Sequence, residues 1–219
     1  MRVYKFLCTK YGIQDIDEHR IKLSEFRDMN DPFELLGSRW SDTQVDGVLT
    51  SHAAATYGAL CFSTNWSNPL LWSHYADKHK GICLGLDIPD RSDAVQTPIY
   101  VDGPEMQDPT ILFQALRHRN FWIAEAPMMR KLLLKFKSWR YEDEVRLFAR
   151  LGGKDGELSY FDFGENLTLR EVIVGVRCAV SKGEIEERLR GYSTPVKIIK
   201  AKLSFESFRV VEDPGGLAS

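Results

Sequence analysis

Short apolar runs separated by turn-forming residues recur along this chain and predict a fold rich in β-strands. Runs of about four to eight apolar, β-branched or aromatic residues, bounded by Gly, Pro, Asn or Asp, are typical of buried strands. Five of the runs are too continuous for both faces of a strand to be exposed, so we expect these strands to share one sheet. They are predicted at 3–8, 58–63, 82–88, 144–149 and 171–176. Further strands are predicted at 21–23, 158–163, 196–199 and 205–211.

Capping residues predict two helices between these strands. Asn68 is a suitable N-cap and Pro69 follows it at the first helical position. Ser181 and Glu184 have the spacing of a capping box, in which each side chain accepts a hydrogen bond from the backbone of the other residue. Two more helical segments are predicted, at 13–20 and 109–138.

The predicted helices and strands do not alternate regularly, which favours an α+β fold over a doubly wound one. We therefore expect a single α+β domain over 1–213, with a mixed, mainly antiparallel sheet and flanking helices. A flexible C-terminal tail is expected at 214–219, where Pro-Gly-Gly follows the last predicted strand. The length of 219 residues suits one compact domain.

Charge and composition narrow the range of partners and locations. Twenty-nine Lys and Arg residues oppose 31 Asp and Glu, a formal net charge of -2, which argues against broad binding to nucleic acid or to an anionic membrane. No apolar stretch is long enough for a transmembrane helix, and the N-terminus lacks the pattern of a signal peptide. The four cysteines have no C-x-x-C spacing. We expect a cytoplasmic protein without a structural metal.

The densest group of reactive and aromatic side chains is W-S-H-Y-A-D-K-H at 72–79. His74 and Asp77 are three positions apart and would share one face of a helix, so His74 is a candidate catalytic residue. The two histidines are five positions apart, a spacing that does not form an H-x-x-x-H metal pair. The alternative is structural: Trp72 and Tyr75 would pack inward while His74 hydrogen-bonds a neighbouring backbone group.

Two carboxylates precede another predicted strand. If that strand begins near Glu144, then Glu142 and Glu144 project to the same face. Two such carboxylates can raise each other's pKa, or one can orient a reactant while the other abstracts a proton. Alternatively, Glu144 pairs with its same-face neighbour Arg146, and the rest is a solvated strand entrance. In N-D-P-F-E at 30–34, Asp31 either caps a turn or reaches a site from a loop.

The order of four segments resembles a widespread bacterial family of proteins that carry a domain of unknown function. Common nucleotide-fold and hydrolase signatures such as G-x-G-x-x-G, the P-loop, G-x-S-x-G and H-E-x-x-H do not occur. The segments are N-D-P-F-E at 30–34, C-F-S at 61–63, L-W-S-H-Y-A-D-x-H-x-G at 71–81 and W-x-Y-E-D-E-V-R-L at 139–147. The likeness runs from residue 3 to about 176, and membership in such a family supplies no activity.

A second, more distant resemblance, to ADP-ribosyltransferases, does imply an activity. Those enzymes carry an Arg or His on the first strand, then a Ser-Thr-Ser-like strand end, and then an E-x-E turn before a strand. This chain offers Y-K-F at 4–6, F-S-T-N at 62–65 and E-D-E-V at 142–145, in the same order. The resemblance therefore implies glycosyl transfer from NAD as a co-substrate.

The same resemblance implies roles for individual residues. Glu144 would be the catalytic carboxylate, and Glu142 would orient the acceptor. Ser63 would hold the nicotinamide ribose, and Lys5 would take the place of the phosphate-contacting Arg or His. Further candidates for binding NAD are Tyr4, Thr64, Trp72 and Tyr75. The acceptor would be a protein or a nucleic acid, in the setting of a toxin or of phage defence.

Two other classes of function stay open at this point. One is a metal-dependent hydrolase or nuclease built on Asp31, His74, Asp77 and Glu142 or Glu144. The locally basic stretch at 117–137 would then meet phosphate groups, although such a run is usually a solvated helix face. The other is a non-catalytic binding module in which His74 and Trp72 line a pocket.

Overall fold

The computed structural model describes residues 1–90, 94–107, 110, 129–152 and 158–217. The fold is α+β with a mixed, mostly antiparallel sheet, which confirms the predicted class. The strands of the described residues are β1 Arg2–Leu7, β2 Arg20–Lys22, β3 Ser24–Glu25, β4 Ser38–Trp40, β5 Tyr57–Ser63, β6 Ile82–Asp87, β7 Val95–Gln96, β8 Ile99–Val101, β9 Glu105–Gln107, β10 Leu134–Phe136, β11 Glu144–Arg150, β12 Tyr160–Asp162, β13 Thr168–Val174, β14 Lys197–Leu203 and β15 Val210–Glu212. The helices are α1 Thr9–Glu18, α2 Thr43–Thr56, α3 Pro69–Tyr75 and α4 Lys182–Leu189.

The chain divides into two compact units. Unit 1 comprises Met1–Lys22, Cys61–Ser92 and Tyr160–Ser219, and unit 2 comprises Leu23–Leu60 and Asp93–Ser159. The boundary falls within β5: its first four residues belong to unit 2, and its last three belong to unit 1. The single-domain boundaries at 1–213 and 214–219 stay predictions.

The sheet of unit 1 has the order β15-β14-β13-β6-β1-β5. Every neighbouring pair is antiparallel except β13 with β14, which is parallel. β6 is almost fully buried, and β13 is buried over its last three residues, as their apolar sequences predict. Asn68 caps α3 by accepting a hydrogen bond from the Leu70 amide at 3.0 Å, and Ser181 with Glu184 forms the capping box of α4. Both caps were expected from the sequence.

Unit 2 is built around the first half of β5, which is paired with β3 and with β11. β11 pairs in turn with β7 in antiparallel register. Two small parallel pairs, β8 with β10 and β4 with β9, complete the strands that are described here. β5 is thus paired with β1, β3 and β11.

Two predictions about secondary structure are wrong, and several elements were not predicted. The helix expected to reach residue 138 gives way to β10 at Leu134, because this segment pairs in parallel with β8; the part at 111–128 lies outside the described residues. The helix α2 and the strands β4, β7, β8 and β9 were not predicted. The last strand begins at Val210, since Phe205 and Phe208 lie in the exposed connection before it. No helix in the described ranges has both the length and the apolar character to cross a membrane.

Candidate functional site

The E-D-E segment is a turn that leads directly into a strand. Residues Lys137–Glu142 form a 3-10 helix that ends at Asp143, whose φ of 45° places it in the left-handed region. The next residue, Glu144, opens β11. This change from turn to strand directs the Glu142 and Glu144 carboxylates to one ammonium group, that of Lys135.

Lys135 bridges the two carboxylates. Its Nζ donates to Glu142 Oε2 at 2.5 Å and to Glu144 Oε2 at 2.6 Å. All three side chains are at most 8 % exposed. Burial alone would lower the pKa of Lys135, but the two carboxylates outweigh it and raise the pKa. Lys135 therefore stays charged at neutral pH.

Arg146 holds Glu144 from the other side. Its Nε donates to Glu144 Oε1 at 2.7 Å, and the guanidinium is fully buried. Burial alone would raise the pKa of Glu144, but Arg146 and Lys135 outweigh it and lower the pKa to about 2. The sequence left open whether Glu144 pairs with Arg146, and the structure contains this pair. Glu142 is also buried, so the segment is not a solvated strand entrance.

Glu34, from the N-D-P-F-E loop, completes the buried cluster. Both of its carboxylate oxygens accept from Arg146, at 2.7 and 3.0 Å. Burial raises the pKa of Glu34 in spite of the nearby Arg146 and Lys135. We call this group the carboxylate cluster: Glu34, Lys135, Glu142, Glu144 and Arg146. It contains three carboxylates and two cations, so it carries excess negative charge when every member is ionised.

Aromatic side chains surround the carboxylate cluster. The Lys135 ammonium lies 5.4 Å from the centre of the Trp139 ring, within the range of a cation–π contact. Burial, together with the charge of Glu144, raises the pKa of Tyr100. The Tyr100 hydroxyl is buried. Excess negative charge beside aromatic rings is suited to a planar, positively charged group.

The predicted residues of β1 and β5 divide between the two faces of the sheet in unit 1. Tyr4 lies directly opposite Ser63, so their side chains share one face. Lys5 projects to the other face, where its Nζ donates to the Cys61 carbonyl at 3.1 Å and its charge acts on Asp15 of α1. Lys5 and Ser63 therefore lie on opposite faces of the sheet.

Ser63 closes a local turn at the end of β5. Its hydroxyl donates to the Asn65 carbonyl at 3.0 Å and accepts from the Asn65 amide at 3.1 Å. The residue is 4 % exposed, whereas the neighbouring Thr64 is exposed. The strand end implied by the resemblance is present at this position, and both hydrogen-bonding functions of the Ser63 hydroxyl are used there.

The W-S-H-Y-A-D segment is partly structural. Trp72 is fully buried, packs edge-on against Phe6 at 5.3 Å and donates from Nε1 to the Trp66 carbonyl at 2.7 Å. This burial matches the alternative in which Trp72 packs inward. His74 is exposed, and its ring lies 6.2 Å from that of the half-buried Tyr75. His74 and Tyr75 belong to unit 1, whereas Glu142 and Glu144 belong to unit 2.

His79 is the second histidine of the L-W-S-H-Y-A-D-x-H-x-G segment; the sequence assigned it no role, yet it has an unusual environment. It ends a run of three left-handed residues, Asp77 to His79, with φ values of 43°, 54° and 70°. Its ring stacks on Trp72, and its Nε2 lies 3.2 Å from Ser73 Oγ. Burial and the nearby Arg177 lower the pKa of His79. The signal in the sequence was its place in that segment, two residues before Gly81.

The residues of the hydrolase alternative do not form a metal site. Asp31 accepts a hydrogen bond from the Phe33 amide at 2.9 Å, which is the turn-capping role considered from the sequence. Among residues with described positions, no group of three or more His, Cys, Asp or Glu is arranged to hold a metal ion.

The basic residues of the stretch at 117–137 have defined partners wherever their positions are described. Lys131 is buried and binds Asp46 at 2.8 Å, and Arg130 binds both oxygens of Glu105. Lys137 pairs with an exposed carboxylate, that of Asp102. Arg117, His118 and Arg119 lie outside the described residues. Lys131 and Lys135 therefore do not lie on a solvated helix face, although the sequence had indicated such a face for the basic stretch.

We compared the chain with known proteins in three ways. A scan against protein-family models, a search of curated proteins and a search of solved structures each found no match to this chain.

Proposed function

We propose that the chain is an NAD-dependent ADP-ribosyltransferase-like enzyme in which Glu144 is the catalytic carboxylate. The observation that carries this proposal is the position of the three sequence motifs on the fold. The motif at 4–6 lies on β1, the motif at 62–65 lies at the end of β5, and the E-x-E turn leads into β11. Each motif thus occupies the kind of element that the resemblance implies.

The electrostatics of the carboxylate cluster support this chemistry. In the proposed reaction the bond between ribose C1′ and the nicotinamide nitrogen breaks, and its electron pair leaves with nicotinamide. Positive charge then develops on the ribose until the acceptor nucleophile bonds to C1′ and gives up its proton. A carboxylate whose pKa is about 2 is ionised at neutral pH and stabilises this charge most in the transition state.

Fixed geometry is the second supporting feature. Lys135 and Arg146 hold Glu144 in one orientation before any ligand binds, and preorganised charges cost no reorganisation during the reaction. Glu142, held by the same ammonium, is the proposed contact for the acceptor. In unit 1, Tyr4 and Ser63 on one sheet face remain the candidates for NAD binding, while Lys5 is left out because it faces Asp15.

Incubation with NAD labelled separately in the nicotinamide and in the adenylate moiety tests the proposal. Release of nicotinamide would establish cleavage, and transfer of the adenylate label to protein, RNA or DNA would identify the class of acceptor. Saturable protection by NAD in a thermal melt would report binding, because a ligand that binds only the folded state raises its apparent stability. If NAD gives neither nicotinamide release nor protection, with or without added divalent ions, the proposal fails.

A further inference from the structure

Arg146 is contacted by two carboxylates on different edges of its guanidinium. One edge donates to Glu144, through Nε at 2.7 Å and through Nη2 at 3.3 Å. The terminal nitrogens donate to Glu34 at 2.7 and 3.0 Å, and Nη1 also donates to the Leu132 carbonyl at 2.8 Å. Arg146 is completely buried, so these contacts determine its orientation.

The planar guanidinium transmits orientation from one carboxylate to the other. A bidentate pair fixes both the position and the rotation of the plane, because two parallel hydrogen bonds must form at once. Glu34 therefore sets the direction in which Arg146 Nε points. Glu144 accepts from that same Nε, so its carboxylate is aligned by Glu34 although the two glutamates belong to distant segments.

The loop that carries Glu34 is closed by its own hydrogen bonds. Asp31 Oδ1 accepts from the Phe33 amide at 2.9 Å, and the Asp31 carbonyl accepts from the Glu34 amide at 3.0 Å. Leu35 follows with a φ of 65° and is buried. The loop thus presents Glu34 to Arg146 from a constrained backbone, with Phe33 left 61 % exposed.

We propose that Glu34 is a positioning residue for the Glu144 carboxylate and acts through Arg146. This inference rests on the proposed function, because it assigns Glu34 to the same site. In this role Glu34 acts on Glu144 and not on the substrate, so its loss should reduce the rate of the chemical step and leave NAD binding in place. A misplaced catalytic group costs about 10- to 100-fold in rate.

The test compares Glu34→Gln with Glu105→Gln, which makes the same change in another bidentate arginine–glutamate pair of unit 2. The assay follows nicotinamide released from NAD with water as the acceptor. For Glu34→Gln we expect kcat to fall about 10- to 100-fold, with KM for NAD within about twofold of the unmodified protein. For Glu105→Gln we expect both constants to stay within about twofold. Glu34→Asp, which keeps the charge and shortens the reach, serves if the glutamine variant does not fold.

A second measurement needs no activity. The Arg146 Nε–H signal in a ¹H–¹⁵N spectrum recorded without NAD reports its hydrogen bond to Glu144. We expect that signal to shift and to exchange faster with solvent in Glu34→Gln, and to be unchanged in Glu105→Gln. Equal kcat in the two variants, or an unaltered Arg146 signal in Glu34→Gln, would overturn the positioning role. Absence of nicotinamide release from the unmodified protein would instead overturn the proposed function, and with it the assignment of Glu34 to a catalytic site.

Discussion

Lys135 and Glu144 form an ion pair of 2.6 Å in which the two side chains are 7 % and 3 % exposed. Lys135 lies on β10 and Glu144 opens β11, with the 3-10 helix Lys137–Glu142 between them. Taking charges out of water is costly, and the cost is offset only while each charge keeps its partner. The pair is therefore a point at which one substitution has a large and measurable effect.

Replacing Lys135 with methionine should strongly destabilise the protein. The change leaves Glu142 and Glu144 buried without their shared cation, and breaking a buried pair on one side costs about 3–5 kcal/mol. Urea denaturation at pH 7 measures the loss. Lys137→Met is the control, because Lys137 is 58 % exposed and an exposed pair contributes about 1 kcal/mol or less. Similar midpoints for the two variants would contradict the account.

The stability of the folded protein should fall in acid, because Glu144 becomes protonated. Its folded-state pKa of about 2 lies below the unfolded value of about 4.3, so its contribution is present above pH 4.3 and is lost as the pH falls towards 2. Glu144→Gln lacks this contribution. The difference in melting temperature between the unmodified protein and Glu144→Gln should therefore shrink between pH 5 and pH 3. A difference that is constant over this range would show that Glu144 is not held as a carboxylate.

Asp15 should have the opposite pH dependence. It lies in α1 and is 7 % exposed, and burial raises its pKa to about 7 in spite of the nearby Lys5. The folded state therefore holds a proton that the unfolded chain releases near pH 4, and stability falls as the pH rises from about 4 to 7. Asp15→Asn should melt higher than the unmodified protein at pH 8 and about equally at pH 4. An equal gain in melting temperature at pH 4 and pH 8 would contradict this. Asp17→Asn is the control: Asp17 forms an exposed pair with Arg188, and its replacement should not raise the melting temperature at pH 8.

Gly81 should tolerate no side chain. A Cβ added there would lie 2.0 Å from the Leu7 carbonyl oxygen and 3.0 Å from backbone atoms of Ala76, which cannot move aside. Gly81→Ala should lower the free energy of unfolding by about 3 kcal/mol or more. Gly103→Ala, at a position with open space around it, should change it by less than about 0.5 kcal/mol. Equal stabilities in urea would show that the turn before β6 has a different backbone.

The local features of the fold were predictable, and the non-local ones were not. Asn68 and Ser181 were predicted as caps because the groups they bond lie within three residues. The two-residue spacing of Glu144 and Arg146 on one strand offered their pairing as one of two interpretations, and the structure contains the pair. By contrast, β10 lies in a segment with a helical pattern, and only its parallel pairing with β8 makes it a strand. Lys135, the centre of the carboxylate cluster, was therefore interpreted as part of a helix.

Strand register explains the remaining difference at the candidate site. The sequence placed Lys5 and Ser63 on two strands of one sheet, and in the structure these two strands are paired. The sequence does not fix which residues lie opposite each other, and a shift of one residue moves a side chain to the other face. The pairing of Tyr4 with Ser63 turns Lys5 towards α1. Glu34 was likewise beyond local reasoning, since 112 positions separate it from Arg146.

The most direct test of the central claim is nicotinamide release from NAD by the unmodified protein, Glu144→Gln and Asp46→Asn under identical conditions. Asp46→Asn removes the carboxylate that pairs with the buried Lys131 elsewhere in unit 2, so it leaves a buried cation without this partner and does not touch the carboxylate cluster. We expect release by the unmodified protein and by Asp46→Asn, and a loss of about 100-fold or more in folded Glu144→Gln. Release by Glu144→Gln in proportion to its folded fraction, equal to that of Asp46→Asn, would contradict the account and leave Glu144 with a structural role alone.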